Sequence, residues 1–151
     1  MTRWRAAFVG CSSLLLMAVA ACGSSESATI PVVELSARNA WARTADSGAT
    51  AAVYFTLENS GTTDDTLSAV TSDVAESASL HISTQHGSLM HMSLVTMLPV
   101  PAHDSVSFRP LGAHVMLTGL TRPLIEGDSI LATLAFASGR TVRVVASVRR
   151  P

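Results

Sequence analysis

"DSILATLAF" (residues 128–136), "ASGR" (137–140) and "TVRVVASV" (141–148) follow one another near the end of this 151-residue chain, and reading them decides the fold. In the third piece Val142, Val144 and Ala146 alternate with Arg143, Val145 and Ser147. On an extended strand successive side chains leave on opposite faces, so one face here is wholly apolar and the other mixed. Gly139 stands between the two apolar runs and can take the positive φ of a tight turn, which other residues resist. The stretch reads as a β-hairpin with one face turned to a core.

Outward from this hairpin the same period of two recurs. "AAVYFTL" (51–57) and "SVSFRP" (105–110) alternate in the same way. The runs are separated by "ENSGTTDD", "TQHG", "PVPAHD", "RPLG" and "IEGD", each of which contains Gly, Pro, Asn or Asp. Those residues favour turns for separate reasons: positive φ, a fixed φ, or a side chain that bonds its own backbone. No segment keeps a helical stripe for three turns. Short strands at this spacing predict an all-β antiparallel sandwich or barrel, with Tyr54, Phe55, Phe108 and Phe136 in the core or at its edge. No internal repeat is visible.

The other end of the chain is an address. "MTRWR" is a short basic head, and "AAFVGCSSLLLMAVAA" is an apolar run interrupted by Ser12 and Ser13 and closed by Cys22. A membrane-spanning helix needs roughly 20 apolar residues with suitable flanks, whereas this pattern fits a secretory signal over residues 1–21. It resembles a bacterial lipoprotein signal cleaved before Cys22, which would carry the lipid and leave residues 22–29 as a flexible polar tether to a domain over 30–151. The protein is then extracytoplasmic and lipid-anchored to the bacterial cell membrane; cleavage after Ala20 or Ala21 would instead release a soluble secreted or periplasmic form. Cys11 leaves with the signal, so the mature domain has no structural disulfide. About 120 residues can still bury one adequate core.

All ten basic residues are arginine. Loss of Arg3 and Arg5 with the signal leaves eight against eleven acidic residues, a balance that gives no nucleic-acid footprint. Dispersed carboxylates, no Ser, His and Asp constellation and no phosphate-cradling glycine loop argue against an enzyme.

The informative cluster is elsewhere. Of the five histidines and six methionines of the chain, eight fall in "LHISTQHGSLMHMSLVTM" (80–97) and "GAHVMLTGL" (112–120). His114 and Met116, two apart on a strand, share a face. His81 and Met92 flank a segment able to form a hairpin that turns at Gly87. Thioether sulfur is soft and neutral, and with imidazole it favours Cu(I) over Mg²⁺, Ca²⁺ or Zn²⁺; a blue-copper centre would need a thiolate that the mature domain lacks. Methionine is also a common core filler, which is the reading preferred for Met90 and Met97. His103, in "VPAHDS", reads as exposed without function, while His86 and His91 lie close enough to the first segment to supplement a ligand.

Ten residues separate His81 from Met92, twenty-one separate Met92 from His114, and one separates His114 from Met116. This spacing, with "NAWAR", "TAAVYFTLENSG", "LMHM" and "VPAHDSVSFRPLGAHVMLTGL", resembles the periplasmic copper chaperone family of PCuAC type across nearly all of the mature domain. The resemblance implies a cupredoxin-like Greek-key sandwich holding one Cu(I) through His81, Met92, His114 and Met116. It further implies delivery towards the copper-site subunit of cytochrome c oxidase, directly or with a Sco-type thiol protein. The chain departs from the family where a Pro-Gly-Gly-aromatic turn usually precedes the second histidine: Leu111 stands in a glycine position and Ala113 in place of the ring. Two rival readings share the fold: an Ig-like surface binding or adhesion lipoprotein with no metal, and a general envelope copper buffer.

Overall fold

The computed structural model describes residues 34–150. The expected signal, Cys22 and the tether lie outside the described residues. Ten strands make up the regular structure of the described residues: β1 (Leu35–Arg43), β2 (Ala51–Asn59), β3 (Asp65–Ser72), β4 (Ala75–His86), β5 (Leu89–Val95), β6 (Leu98–Val100), β7 (Asp104–Phe108), β8 (Ala113–Leu120), β9 (Ser129–Phe136) and β10 (Thr141–Arg149). No helix occurs among the described residues, and the all-β sandwich expected from the sequence is the fold observed.

The hairpin that decided the reading is present as β9 and β10, paired antiparallel from Ser147 with Ser129 to Thr141 with Ala135. Gly139 turns between them at φ 82°. Val144, Ala146 and Val148 are buried on one face with Ile130, Leu134 and Phe136 opposite, while Val145 on the other face stays exposed.

Hydrogen-bonded order runs β5-β4-β8-β7-β2-β1-β10-β9-β3-β6, and β8 also pairs directly with β2. Pairs are antiparallel except β1 with β10 and the single β7–β8 contact. Consecutive strands β3 and β4 fall in different halves of this order, and the last strand sits beside the first, which is Greek-key connectivity. The two halves face each other across one cluster, Val53, Leu80 and Val115 from one side meeting Leu67, Leu134 and Val144 from the other.

Two buried polar residues tie the loops to this core, as buried polar groups must be tied. The Asn59 amide donates to the carbonyls of Thr63 and Val100 and accepts from the Gly61 N–H. Asp65 accepts from the N–H groups of Thr66 and Ser138 and from the Ser138 hydroxyl.

One expectation is corrected. Met90 and Met97 are not core fillers: they are 48% and 60% exposed. The reason lies in register and topology: Met90 stands opposite Gln85, two residues from Met92, and so leaves on the face turned away from the core, while Met97 follows the last strand of that half.

Candidate metal centre

Register decides which side chains meet. On β4 and β8 His81 stands directly opposite His114, and Ser79 opposite Met116; on β4 and β5 Ser83 stands opposite Met92. Ser79, His81 and Ser83 alternate along β4, so all three and their partners lie on one face of the sheet. The intervening Leu80 pairs with Val115 and points to the core, being 4% exposed. The structure thus places His81, His114, Met116 and Met92 on the face turned away from the core.

β4 and β5 join through a two-residue turn between the paired His86 and Leu89. Gly87 occupies the first turn position at φ 62°, where a type II′ hairpin takes glycine. His91 pairs with Thr84, one residue out of phase with Ser83 and Met92, so its side chain leaves on the opposite face and does not join the four. His86 ends the ladder opposite Leu89. His103 belongs to another part of the molecule, beside Glu58 and Asp104 at the far end of β2.

The two imidazoles are stacked, with centroids 5.8 Å apart and planes inclined by 29°. His114 is buried, and its Nδ1 lies 3.0 Å from the Gly112 carbonyl. A carbonyl only accepts, so Nδ1 carries the proton and Nε2 keeps a free lone pair, the arrangement usual for a metal-ligating histidine. His81 Nε2 shares a 3.0 Å hydrogen bond with the Ser79 hydroxyl, while its Nδ1 is buried with no partner among the described residues. Burial first, and the neighbouring His114 second, hold the His81 pKa below its ordinary 6.5, which favours the neutral ring a metal needs. Met92, half exposed, lines a cleft of about 380 Å³ together with His114 and Met116. Among the described residues no group of three or more His, Cys, Asp or Glu could hold a metal. The two imidazoles are thus accompanied on their face by the thioethers of Met92 and Met116, and no carboxylate joins them in such a group.

Sequence reasoning missed the wall behind these donors. The Tyr54 ring lies 6.4 Å from His114 and 4.6 Å from Trp41, and the Arg149 guanidinium carbon stands over the Trp41 ring, 4.0 Å from its centroid. Arg43 lines the same cleft, its guanidinium carbon 5.9 Å from the Tyr54 ring. The signal was present in "NAWAR" and "AAVYF", where Trp41 and Arg43, and Ala52 and Tyr54, alternate; only the β1–β2–β8 register shows that this alternation reaches His114. Leu111, which stands where the PCuAC-type turn has glycine, adopts a φ of 62°. A left-handed leucine costs about 1–2 kcal/mol, and here it presents a 70% exposed side chain at the rim of the cleft.

Fold and donors together define an all-β sandwich domain with a two-histidine, two-methionine face. More particularly, the chain belongs to the LpqE-like family, whose model, described as "Putative lipoprotein LpqE-like", matches residues 35–148. The "Putative lipoprotein Lxx21020" of Leifsonia xyli subsp. xyli is 34% identical over 111 residues, which are 73% of this chain and 66% of that protein. The match thus spans just under two thirds of the relative's length. Among solved structures the fold is similar to the copper-bound PCuAC domain from PmoF2, with a TM-score of 0.66 and 24% identity over 80% of this chain and 97% of that one. It is also similar to the solution structure of the Cu(I) form of DR1885 from Deinococcus radiodurans, with a TM-score of 0.58 and 30% identity over 83% of each chain.

Proposed function

We propose that this protein is an extracytoplasmic, lipid-anchored carrier that binds one Cu(I) through His81, Met92, His114 and Met116 and hands it on by ligand exchange. The observation that carries the reading is the β4–β8 register, which sets His81 opposite His114 with both methionines on the same face. Similarity to structures described as a copper-bound PCuAC domain and a Cu(I) protein supports the choice of ion.

The residues fit the cargo on their own chemistry. All four donors are neutral, two are soft, and the orphaned Nδ1 of His81 marks a buried atom still lacking a partner. Thioethers need no deprotonation, so release requires no base and no redox step. Met92, the most exposed of the four, is the donor a recipient displaces first; buried His114, fixed by the Gly112 carbonyl, is the last to let go. The protein acts as a carrier, with no catalytic acid, base or nucleophile in this scheme. Lipid on Cys22 would keep it at the membrane, in reach of a membrane oxidase, and delivery towards the copper-site subunit of cytochrome c oxidase, directly or with a Sco-type thiol protein, is the destination that fits a thioether carrier.

X-ray absorption on the Cu(I)-loaded protein tests the donor set. Mixed nitrogen and sulfur scattering is expected; a shell of oxygen alone sinks the proposal. Deletion of the protein is expected to lower oxidase activity under copper limitation. Unchanged oxidase with lost copper tolerance would point to buffering in place of delivery.

A further inference from the structure

The cleft beside the donors has a charged wall of one sign. Arg43 lines it together with Met92, His114 and Met116, and among the described residues no aspartate or glutamate does. Its Nε is buried and has no hydrogen-bond partner among the described residues. The three ion pairs found among the described residues use other arginines: Arg38 with Glu58, Arg122 with Asp128, and Arg150 with Glu126. Arg43 also neighbours Arg149 across the β1–β10 ladder, so no anion approaches from that strand either.

This placement is unusual for a cation site, because a fixed positive charge repels the cargo. The repulsion scales with the charge of the ion, so a divalent ion feels twice what a monovalent one does. Four neutral donors supply no charge to offset it. We propose that Arg43 sets the oxidation-state selectivity of the site: its uncompensated guanidinium excludes Cu(II) more strongly than Cu(I) and keeps the monovalent ion loosely enough held to be passed on. The inference rests on the copper reading above and deepens it, adding a discrimination by charge to the discrimination by donor softness. Strand β1 fixes the position of this charge, with Ala42 buried in the core and Arg43 turned to the outer face over Tyr54.

The test compares Arg43→Gln, which removes the charge, with Arg43→Lys, which keeps it. Cu(I) affinity is measured by competition with bathocuproine disulfonate and Cu(II) affinity by competition with glycine, on purified protein at low ionic strength. Arg43→Gln is expected to tighten Cu(II) about tenfold relative to Cu(I), equivalent to a fall of about 59 mV in the one-electron potential of the bound copper. Arg43→Lys should stay near wild type, and added salt should shrink the difference between the two variants. An unchanged ratio in Arg43→Gln overturns the inference while leaving the carrier intact, as does an equal change in both variants, which would assign the effect to packing on Tyr54. Failure of the wild type to bind Cu(I) at all overturns the carrier reading itself, so the two failures are distinguishable.

Discussion

Two hairpins of similar length lead opposite lives in this molecule. β9 and β10 turn at Gly139 and bury one side chain in two; β4 and β5 turn at Gly87 and leave Leu89, Met90, Met92 and Leu94 exposed. Both alternate and both are rich in apolar residues. They differ in what covers them: β9 lies between β10 and β3 within one layer, whereas β5 has a neighbour on one side only. An apolar residue is a core residue only if the topology supplies a second layer. Where it does not, sulfur and imidazole remain available for chemistry.

The contrast is broken most forcefully by truncation. Leu134→Ala in the first hairpin is expected to cost about 2–5 kcal/mol of stability, and Met90→Ser in the second to stay within about 0.5 kcal/mol, both read by urea denaturation. A large loss at Met90 would mean that the edge hairpin is packed after all.

Copper affinity should invert that ranking. His114→Ala is expected to weaken Cu(I) binding more than about 100-fold, beyond the range of outer-sphere partners, whereas Leu134→Ala should leave binding nearly unchanged in the folded fraction. Competition with a Cu(I) chelator measures both, and retained affinity in His114→Ala would remove that residue from the donor set.

A smaller effect sharpens the rim of the site. Leu111→Gly relieves a left-handed leucine and should raise the unfolding free energy by about 0.5–1 kcal/mol, the strain relieved exceeding the entropy that glycine adds to the unfolded chain. A destabilised variant would show that the exposed Leu111 side chain makes a contact worth more than its strain.

The smallest effect is one of pH. With the folded pKa of His81 held below 6.5, the unfolded chain binds more protons in the interval between the two values. Stability of the copper-free protein is then complete above about pH 6.5 and declines as the pH falls towards the lowered folded value. His81→Gln should flatten that part of the profile in denaturation series between pH 5 and 7.5, and an unaltered slope would assign the decline to other groups.

Some of the site was legible early and some was not. The spacing of His114 and Met116 fixes a shared face wherever the segment is a strand, because the pleat has period two. The Gly87 turn likewise follows from local chemistry. Tyr54, Trp41 and Arg43 carry no such local mark: they reach His114 only because β2 pairs with β8 and β1 with β2, over separations of some sixty residues and more. The exposure of Met90 is hidden for the same reason, since only the register of β5 on β4 and of β4 on β8 shows that it shares the outward face of Met92.

By itself, the sequence determined the alternating strands, the turns, the absence of cysteine after position 22 and the spacing of four neutral donors, because each depends on residue chemistry over a few positions. Only the tertiary structure decided that His81 faces His114, that the methionine-bearing hairpin is uncovered, and that the Arg43 guanidinium stands in the wall beside the donors. Those are matters of register between distant strands, where a slip of one residue would send every side chain to the opposite face.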